Sequence, residues 1–356
     1  MTAGRRPRLR DDLSELTGYH SPQVDVSVRL NTNESPYPPP PAFVEAWRER
    51  VAAVPFHRYP DRAATGLRAA LGAFLGQPAA RLFCANGSNE VLQTILLGFG
   101  GAGRRAVVFE PSYVLHAHIA RITGTGVVTG ERRADFTLDP AEAAAFVAAE
   151  APDVVFLTTP NNPTGMVERR ETVEAILGAA PGIVVVDEAY AEFAPWSALE
   201  LVGDDQPLAV VRTYSKIWSM AAFRLGFCVG PAWLVEDLEK VVLPYHLSVP
   251  TQLAGTLALE WQDEMRSRVD AIVGERERVG AALAETDGVE AFPSGANFIL
   301  FRPERDGHAV WEQLLARHVL VRDFSRWPRL EGCLRVTIGR PDENDAFLTA
   351  LKEALA

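Results

Sequence analysis

Cysteine is scarce: three residues in 356, Cys84, Cys228 and Cys333, each isolated within an apolar stretch. No two have the spacing of a metal site, and an odd number of thiols suits a reducing compartment better than a disulfide framework. Their simplest role is that of small buried hydrophobes. Positive charge is also in deficit. Against 46 Asp and Glu stand 35 Lys and Arg, a net charge of −11 with a pI near 5.2. That balance excludes a surface built for nucleic acid or anionic membrane. Nowhere does the chain approach the roughly 18 uninterrupted apolar residues of a membrane span. The opening MTAGRRPRLRDD is basic but has no apolar segment behind it, so no secretory signal and a cytoplasmic location are expected. Internal repeats and low-complexity tails are absent.

What the chain does have is length and an alternating grammar. Its 356 residues suggest about two domains, each with its own core. Residues 1–40 are irregular and end in NESPYPPPP, a run that cannot be helix interior. Helices are expected from about Ala42 to Val51 and, from the spacing of Leu67, Leu71 and Phe74, over Thr65–Leu75. Short apolar runs then alternate with helical segments: LFCA, AVVFE, VVFLT, IVVVD, AVVRT and LGFCVG. This pattern predicts an α/β fold with a mostly parallel sheet covered by helices on both faces. After Pro250 the texture changes. Leu257, Trp261, Met265, Val269, Ile272 and Val279 trace one face of one long helix, and FILF (298–301) and LRVTIG (334–339) are strand-like. The expected division is an N-terminal arm, 1–44, a large domain, 45–250, and a smaller α+β domain, 251–356, on which the arm packs.

The chemistry concentrates between Ile183 and Gly230. One apolar run ends on Asp187, the next on Thr213, Ser215 and Lys216, and a third, Leu225 to Val229, follows Arg224. An acid, hydroxyls, an amine and a guanidinium thus gather at strand ends, the rim where open α/β sheets bind ligands. A lone lysine at a strand end is ordinarily solvated. Here it has company at short intervals: Tyr190 beyond Asp187, NNPTG (161–165) and NGSNE (86–90) upstream.

Together these residues resemble the fold-type I pyridoxal-phosphate enzymes, the aspartate aminotransferase superfamily, over nearly the whole chain. LNTNESPY, HRYPD, NGSNE, EPSY, NNPTG, DEAY, TYSK and LRVTIG are most similar to its histidinol-phosphate aminotransferase family. The resemblance implies a seven-stranded sheet, pyridoxal 5'-phosphate as cofactor and no metal. Lys216 would bond the cofactor aldehyde and later shuttle a proton, helped by a dry pocket and a neighbouring cation such as Arg224. Asp187 would pair with the pyridine nitrogen; alone it would pass as a helix cap. Tyr190 and Asn162 would hydrogen-bond the phenolic oxygen, though Asn-Pro alone marks a turn. Gly87 and Ser88 open a helix whose N–H groups favour an anion. With Thr213, Ser215 and Arg224 they would hold the phosphate, and Tyr113 would stack on the ring. Tyr59 would reach the phosphate of a second subunit, making the active site a shared one in a homodimer. Arg335 would take a substrate carboxylate, Arg322 a second anion, and Tyr19 and Asn33 would belong to an arm closing over substrate. On its own, Arg335 inside a β-branched strand is unusual and wants an anionic partner, a structural salt bridge being the competing reading, whereas Arg322 at a strand end reads about equally as solvated.

The implied activity is amino transfer between L-histidinol phosphate and 2-oxoglutarate. Two features depart from the family pattern: NESPYPP in place of NENPYGP, and IWSMAAFRLG after the lysine, bulkier through Trp218 and Phe223. Competing readings are an aromatic or specialised-pathway aminotransferase, or a phospho-amino-acid decarboxylase with the same cofactor residues. Released carbon dioxide in place of glutamate would identify the decarboxylase. An effector-sensing module behind a DNA-binding domain is disfavoured by the acidic charge and the short segment before the arm.

Overall fold

The computed structural model describes residues 7–14, 16–18 and 22–356. In chain order the strands are β1 (Val28–Leu30), β2 (Leu82–Ala85), β3 (Arg105–Glu110), β4 (Gly126–Glu131), β5 (Val154–Thr158), β6 (Ile183–Asp187), β7 (Leu208–Thr213) and β8 (Gly226–Val229). Four more follow: β9 (Val289–Ala291), β10 (Phe298–Pro303), β11 (Val319–Asp323) and β12 (Leu334–Thr337).

Seven of these form one sheet in the order β2-β8-β7-β6-β5-β3-β4. All pairings are parallel except those of β8, which runs antiparallel to both β2 and β7. The reason is local. Between Thr213 and Gly226 the chain makes a loop with a single 3-10 turn, Ala221–Phe223, and no α-helix to carry it across the sheet, so it returns in the opposite sense. β5 and β6 are buried at every position, as continuous Val/Ile runs require when both faces are covered. Alternate residues serve the two faces. Phe156, Val185 and Val211 pack with Val91, Ile95, Ile119 and Leu234 of the helices on one side. Val155, Val184, Val186 and Val210 pack with Val147, Val173 and Ile176 on the other.

A second sheet has the order β1-β11-β12-β10-β9. The N-terminal arm contributes its edge strand, β1, parallel to β11. The expected single long helix after Pro250 is instead two. Helix Val249–Ala258 packs on the helices Pro41–Ala52 and Thr65–Leu75, while helix Gln262–Ala284 packs on the second sheet. A tight turn, Leu259–Trp261, redirects the chain between these two surfaces, and Trp261 meets Phe43 edge-on at 5.7 Å. Among the described residues no helix is long and apolar enough to cross a membrane.

Candidate active site

Because β2, β3, β5, β6 and β7 all run the same way, their C-terminal ends deliver Gly87, Tyr113, Asn162, Asp187 and Lys216 to one rim. Asp187 ends β6 and is buried. Its Oδ1 accepts the N–H of Ala189 at 3.1 Å, and its Oδ2 lies 3.0 Å from His116 Nε2. A carboxylate only accepts, so Nε2 carries the hydrogen in this pair. His116 lies flat on Phe156, with ring centroids 4.8 Å apart, and meets Tyr113 edge-on at 5.3 Å. Sequence reasoning missed this histidine. The available signal was weak: His116 sits in the first turn of helix Leu115–Ile122, just after the segment that carries Tyr113.

Lys216 is half-buried. Its Nζ donates to Thr32 O at 3.2 Å and sits 5.5 Å from the centre of the Tyr190 ring. Burial pushes the amine down from 10.5 to about 8. Arg335 is the next cause and Arg224 a smaller one, while Glu34 and Asp187 oppose the fall. The cation expected to matter was Arg224; the second sheet supplies a stronger one. Tyr190 OH accepts from Asn33 Nδ2 at 2.9 Å, and the Asn33 N–H donates to Thr337 Oγ1 at 3.0 Å. The arm is thereby tied to both sheets across the cavity.

A separate corner gathers donors for an anion. Gly87 has φ +80°, and a Cβ there would lie 2.7 Å from Arg224 Nη2. Across the helix start, a Cβ on Gly226 would fall 2.2 Å from Ser88 N. Both glycines let the N-terminus of helix Ser88–Phe99 sit against β8 and the guanidinium. Thr213 Oγ1 donates to Ser215 Oγ at 3.0 Å and accepts from Ser215 N at 3.1 Å. Gly226 carries as much of this geometry as Gly87 and was not anticipated.

Opposite stands a pair of arginines. Arg322 on β11 and Arg335 on β12 occupy directly paired positions, so their side chains share one face. Both are buried. Phe324 lies beneath them, 5.7 Å and 5.3 Å from the two guanidinium carbons. Arg335 donates to Asn31 O at 3.0 Å and to Asn162 Oδ1. That contact occupies the amide oxygen of Asn162 and leaves its Nδ2 as the donor.

One cavity of about 280 Å³ is lined by Lys216, Asp187, Tyr190, Arg224, Arg322 and Arg335. Asn33, Ser88, Tyr113, Asn162, Thr213 and Ser215 line it too, and Gly87 abuts it through Arg224. Tyr59 is elsewhere, 80% exposed and stacked on Tyr245 at 4.5 Å. Tyr19 lies outside the described residues. Phe324 and Trp327, which sequence reasoning passed over, also line the cavity. Of the unusual segments, Trp218 packs on Tyr214 and Phe74, and Phe223 on Phe43 and Trp47. Their bulk therefore faces the helices. Ser35, from NESPYPP, accepts from Ser219 Oγ at 3.1 Å and so ties the arm to the lysine loop. Among the described residues no group of His, Cys, Asp or Glu side chains is arranged to hold a metal ion.

A family model described as Aminotransferase class I and II matches residues 26–351. The chain is 47% identical over 355 residues to the histidinol-phosphate aminotransferase of Thermobifida fusca strain YX, covering 97% of this chain and 95% of that one. Its fold matches the crystal structure of histidinol-phosphate aminotransferase from Sinorhizobium meliloti in complex with pyridoxal-5'-phosphate. There the TM-score is 0.90 at 26% identity, over 99% of this chain and 98% of that one. L-threonine-O-3-phosphate decarboxylase from Porphyromonas gingivalis shares the fold, with a TM-score of 0.80 at 21% identity over 92% and 99% of the two chains.

Proposed function

The chain belongs to the class I and II aminotransferase family, and we propose that it moves an amino group between L-histidinol phosphate and 2-oxoglutarate, giving imidazole-acetol phosphate and L-glutamate. It is a pyridoxal-phosphate-dependent enzyme of histidine biosynthesis. The observation that carries the choice of substrates is the paired Arg322 and Arg335, in one cavity with Lys216 and Asp187. Two like charges directly opposite on a sheet face repel. An oxyanion between them relieves that repulsion, and guanidinium reads phosphate and carboxylate alike. One site then serves both a phosphate ester and a dicarboxylic acid.

The residues fit the cofactor. The corner between Gly87, Ser88 and Arg224 is one that a Cβ would fill, and backbone N–H, hydroxyls and a guanidinium there suit a phosphate. Thr213 and Ser215 supply the hydroxyls. Tyr113 would cover the ring, Asn162 Nδ2 and Tyr190 OH would reach its phenolic oxygen, and Asp187 would hold a proton on the ring nitrogen. When bound, pyridoxal phosphate supplies an aldehyde for an amine to attack and a ring that accepts electrons from the substrate Cα. Lys216 Nζ is the group that would hold the aldehyde carbon and that, once free, would take the proton from the substrate Cα. An amine lowered from 10.5 to about 8 is deprotonated at neutral pH roughly 300-fold more often. His116 fixes the orientation of the Asp187 carboxylate, and Asn33 that of the Tyr190 hydroxyl. The arm, Asn31 to Glu34, lines the cavity and would limit the access of water to it.

The arm 1–44, a large domain 45–250 and a small domain 251–356 are the proposed units; the first sheet lies within 82–229, and the second takes strands from 28–30 and 289–337. A homodimer is part of the same reading. Phe56, Tyr59 and Leu243 are 67%, 80% and 76% exposed, and Tyr59 stacks on the half-exposed Tyr245; a second copy covering these side chains would take their apolar surface out of water. Tyr59 would there reach the phosphate corner of the second copy. The test is a donor panel on purified enzyme with 2-oxoglutarate: histidinol phosphate, phenylalanine, tyrosine and threonine phosphate. Glutamate formation should be fastest with histidinol phosphate. A faster aromatic amino acid, or carbon dioxide released in place of glutamate, overturns the assignment.

A further inference from the structure

We propose that Trp327 is a specificity-determining residue: its indole forms the wall on which the flat ring of the amino donor stacks, while Arg322 and Arg335 hold the donor's anionic group. This deepens the reading of the site given above and rests on it. The substrate class it selects is an amine carrying both an oxyanion and a planar heteroaromatic ring.

Trp327 lines the cavity alongside Phe324 and the two arginines. Phe324 is already a platform for both guanidiniums, and Trp327 meets it edge-on at 5.2 Å, with 79° between the ring planes. The indole is thus the next aromatic surface beside the anion-binding pair. It is also held in place. The loop after β11 closes on itself: Trp327 N donates to Phe324 O at 2.8 Å, Gly332 N to Ser325 O at 2.9 Å, and Phe324 N to Cys333 O at 3.1 Å. Asp323 Oδ1 fastens the start of the loop, accepting from Ser325 N at 2.8 Å and Ser325 Oγ at 2.6 Å. From the far side, Arg329 in the same loop pairs with Glu110 and Glu131 at the ends of β3 and β4. Glu110 leads directly into the segment that carries Tyr113. A wall fixed from both sheets loses little freedom when a ring stacks on it, so the contact appears largely as affinity. Imidazole, neutral or protonated, is a suitable partner for an indole face.

The test compares wild type, Trp327→Ala and Trp327→Phe with histidinol phosphate and with 2-aminopropyl phosphate, which keeps the amine and phosphate but lacks the ring. An aromatic contact of this kind predicts a roughly 3- to 10-fold loss of kcat/KM for histidinol phosphate in Trp327→Ala. The loss should fall mainly on KM, with the ringless amine and 2-oxoglutarate unchanged and Trp327→Phe recovering most of it. Equal losses for both amines, or none for either, overturn the proposal; a melting temperature for each variant identifies a merely structural collapse. If the wild-type enzyme does not use histidinol phosphate, the donor assignment fails instead. The ratio of phenylalanine to alanine turnover then decides the role of Trp327: a ratio lowered in Trp327→Ala supports it, and an unchanged ratio overturns it.

Discussion

Lys216→Met should make the protein, stripped of pyridoxal phosphate, more stable at neutral pH while abolishing turnover. The amine is drawn into a cavity beside Arg335 and Arg224, and its pKa falls from 10.5 to about 8, with burial the larger cause. At ~1.4 kcal/mol for each tenfold change in proton affinity, the charged folded state carries ~3 kcal/mol of strain. Part of the side chain still meets water, which screens the charge, so a gain of ~1–3 kcal/mol is expected. Losing the hydrogen bond to Thr32 O offsets ~1 kcal/mol of it. The pH dependence separates this cause from simple apolar gain. Below about pH 8 the amine is protonated both folded and unfolded, and the whole penalty is present. Between about pH 8 and 10.5 the unfolded chain holds a proton that the folded chain has lost, so wild-type stability rises with pH. The advantage of the Met variant is therefore widest below pH 8 and narrows above it. Urea unfolding at about pH 7, 8.5 and 10 reads that gap. A gap constant across the three, or a variant less stable than wild type at pH 7, would refute the strained-amine argument.

His116→Phe keeps a ring on Phe156 but removes the partner of Asp187 Oδ2. Single-turnover proton abstraction should slow roughly 10-fold, as is typical when the orienting partner of a working group is lost; an unchanged rate would make His116 mere packing. Arg335→Ala should raise KM for both the donor and 2-oxoglutarate, by about 10- to 100-fold for loss of a charge-assisted contact. Unchanged KM values in steady-state kinetics would remove it from the site. Tyr59→Ala and Lys216→Ala should each be impaired alone, yet regain activity when unfolded together and refolded. Such hybrids contain one site with both residues intact, and absence of complementation would mean that the cavity is complete in a single chain.

The rim was legible because parallel strands all end on one side, so polar residues closing β-branched runs converge without any knowledge of their contacts. Composition held a stronger pointer than the spacing did. The chain contains only three lysines, Lys216, Lys240 and Lys352, and the other two are exposed. In a sequence that uses arginine almost everywhere for surface charge, the one lysine that closes a buried strand is a candidate for a removable proton, because guanidinium does not surrender one at any working pH. Local pattern failed where the third dimension decides. Leu257 and Trp261 continue the helical spacing of Met265 and Val269, and with neither Gly nor Pro at 259–261 nothing local announces the turn that splits the helix. His116 falls on the buried side of a short helix, where one polar residue looks like any other until Asp187 arrives from a strand 71 residues away. The arginine pair makes the point most sharply. Separately, Arg335 asks for an anionic partner that a salt bridge could supply, and Arg322 reads as a solvated strand end. Only the antiparallel register of β11 and β12 turns them into one concentrated positive face, with Phe324 beneath it and Trp327 at its side. Like charges in that position cost stability, and on the proposed reading an anion held between them would offset that cost.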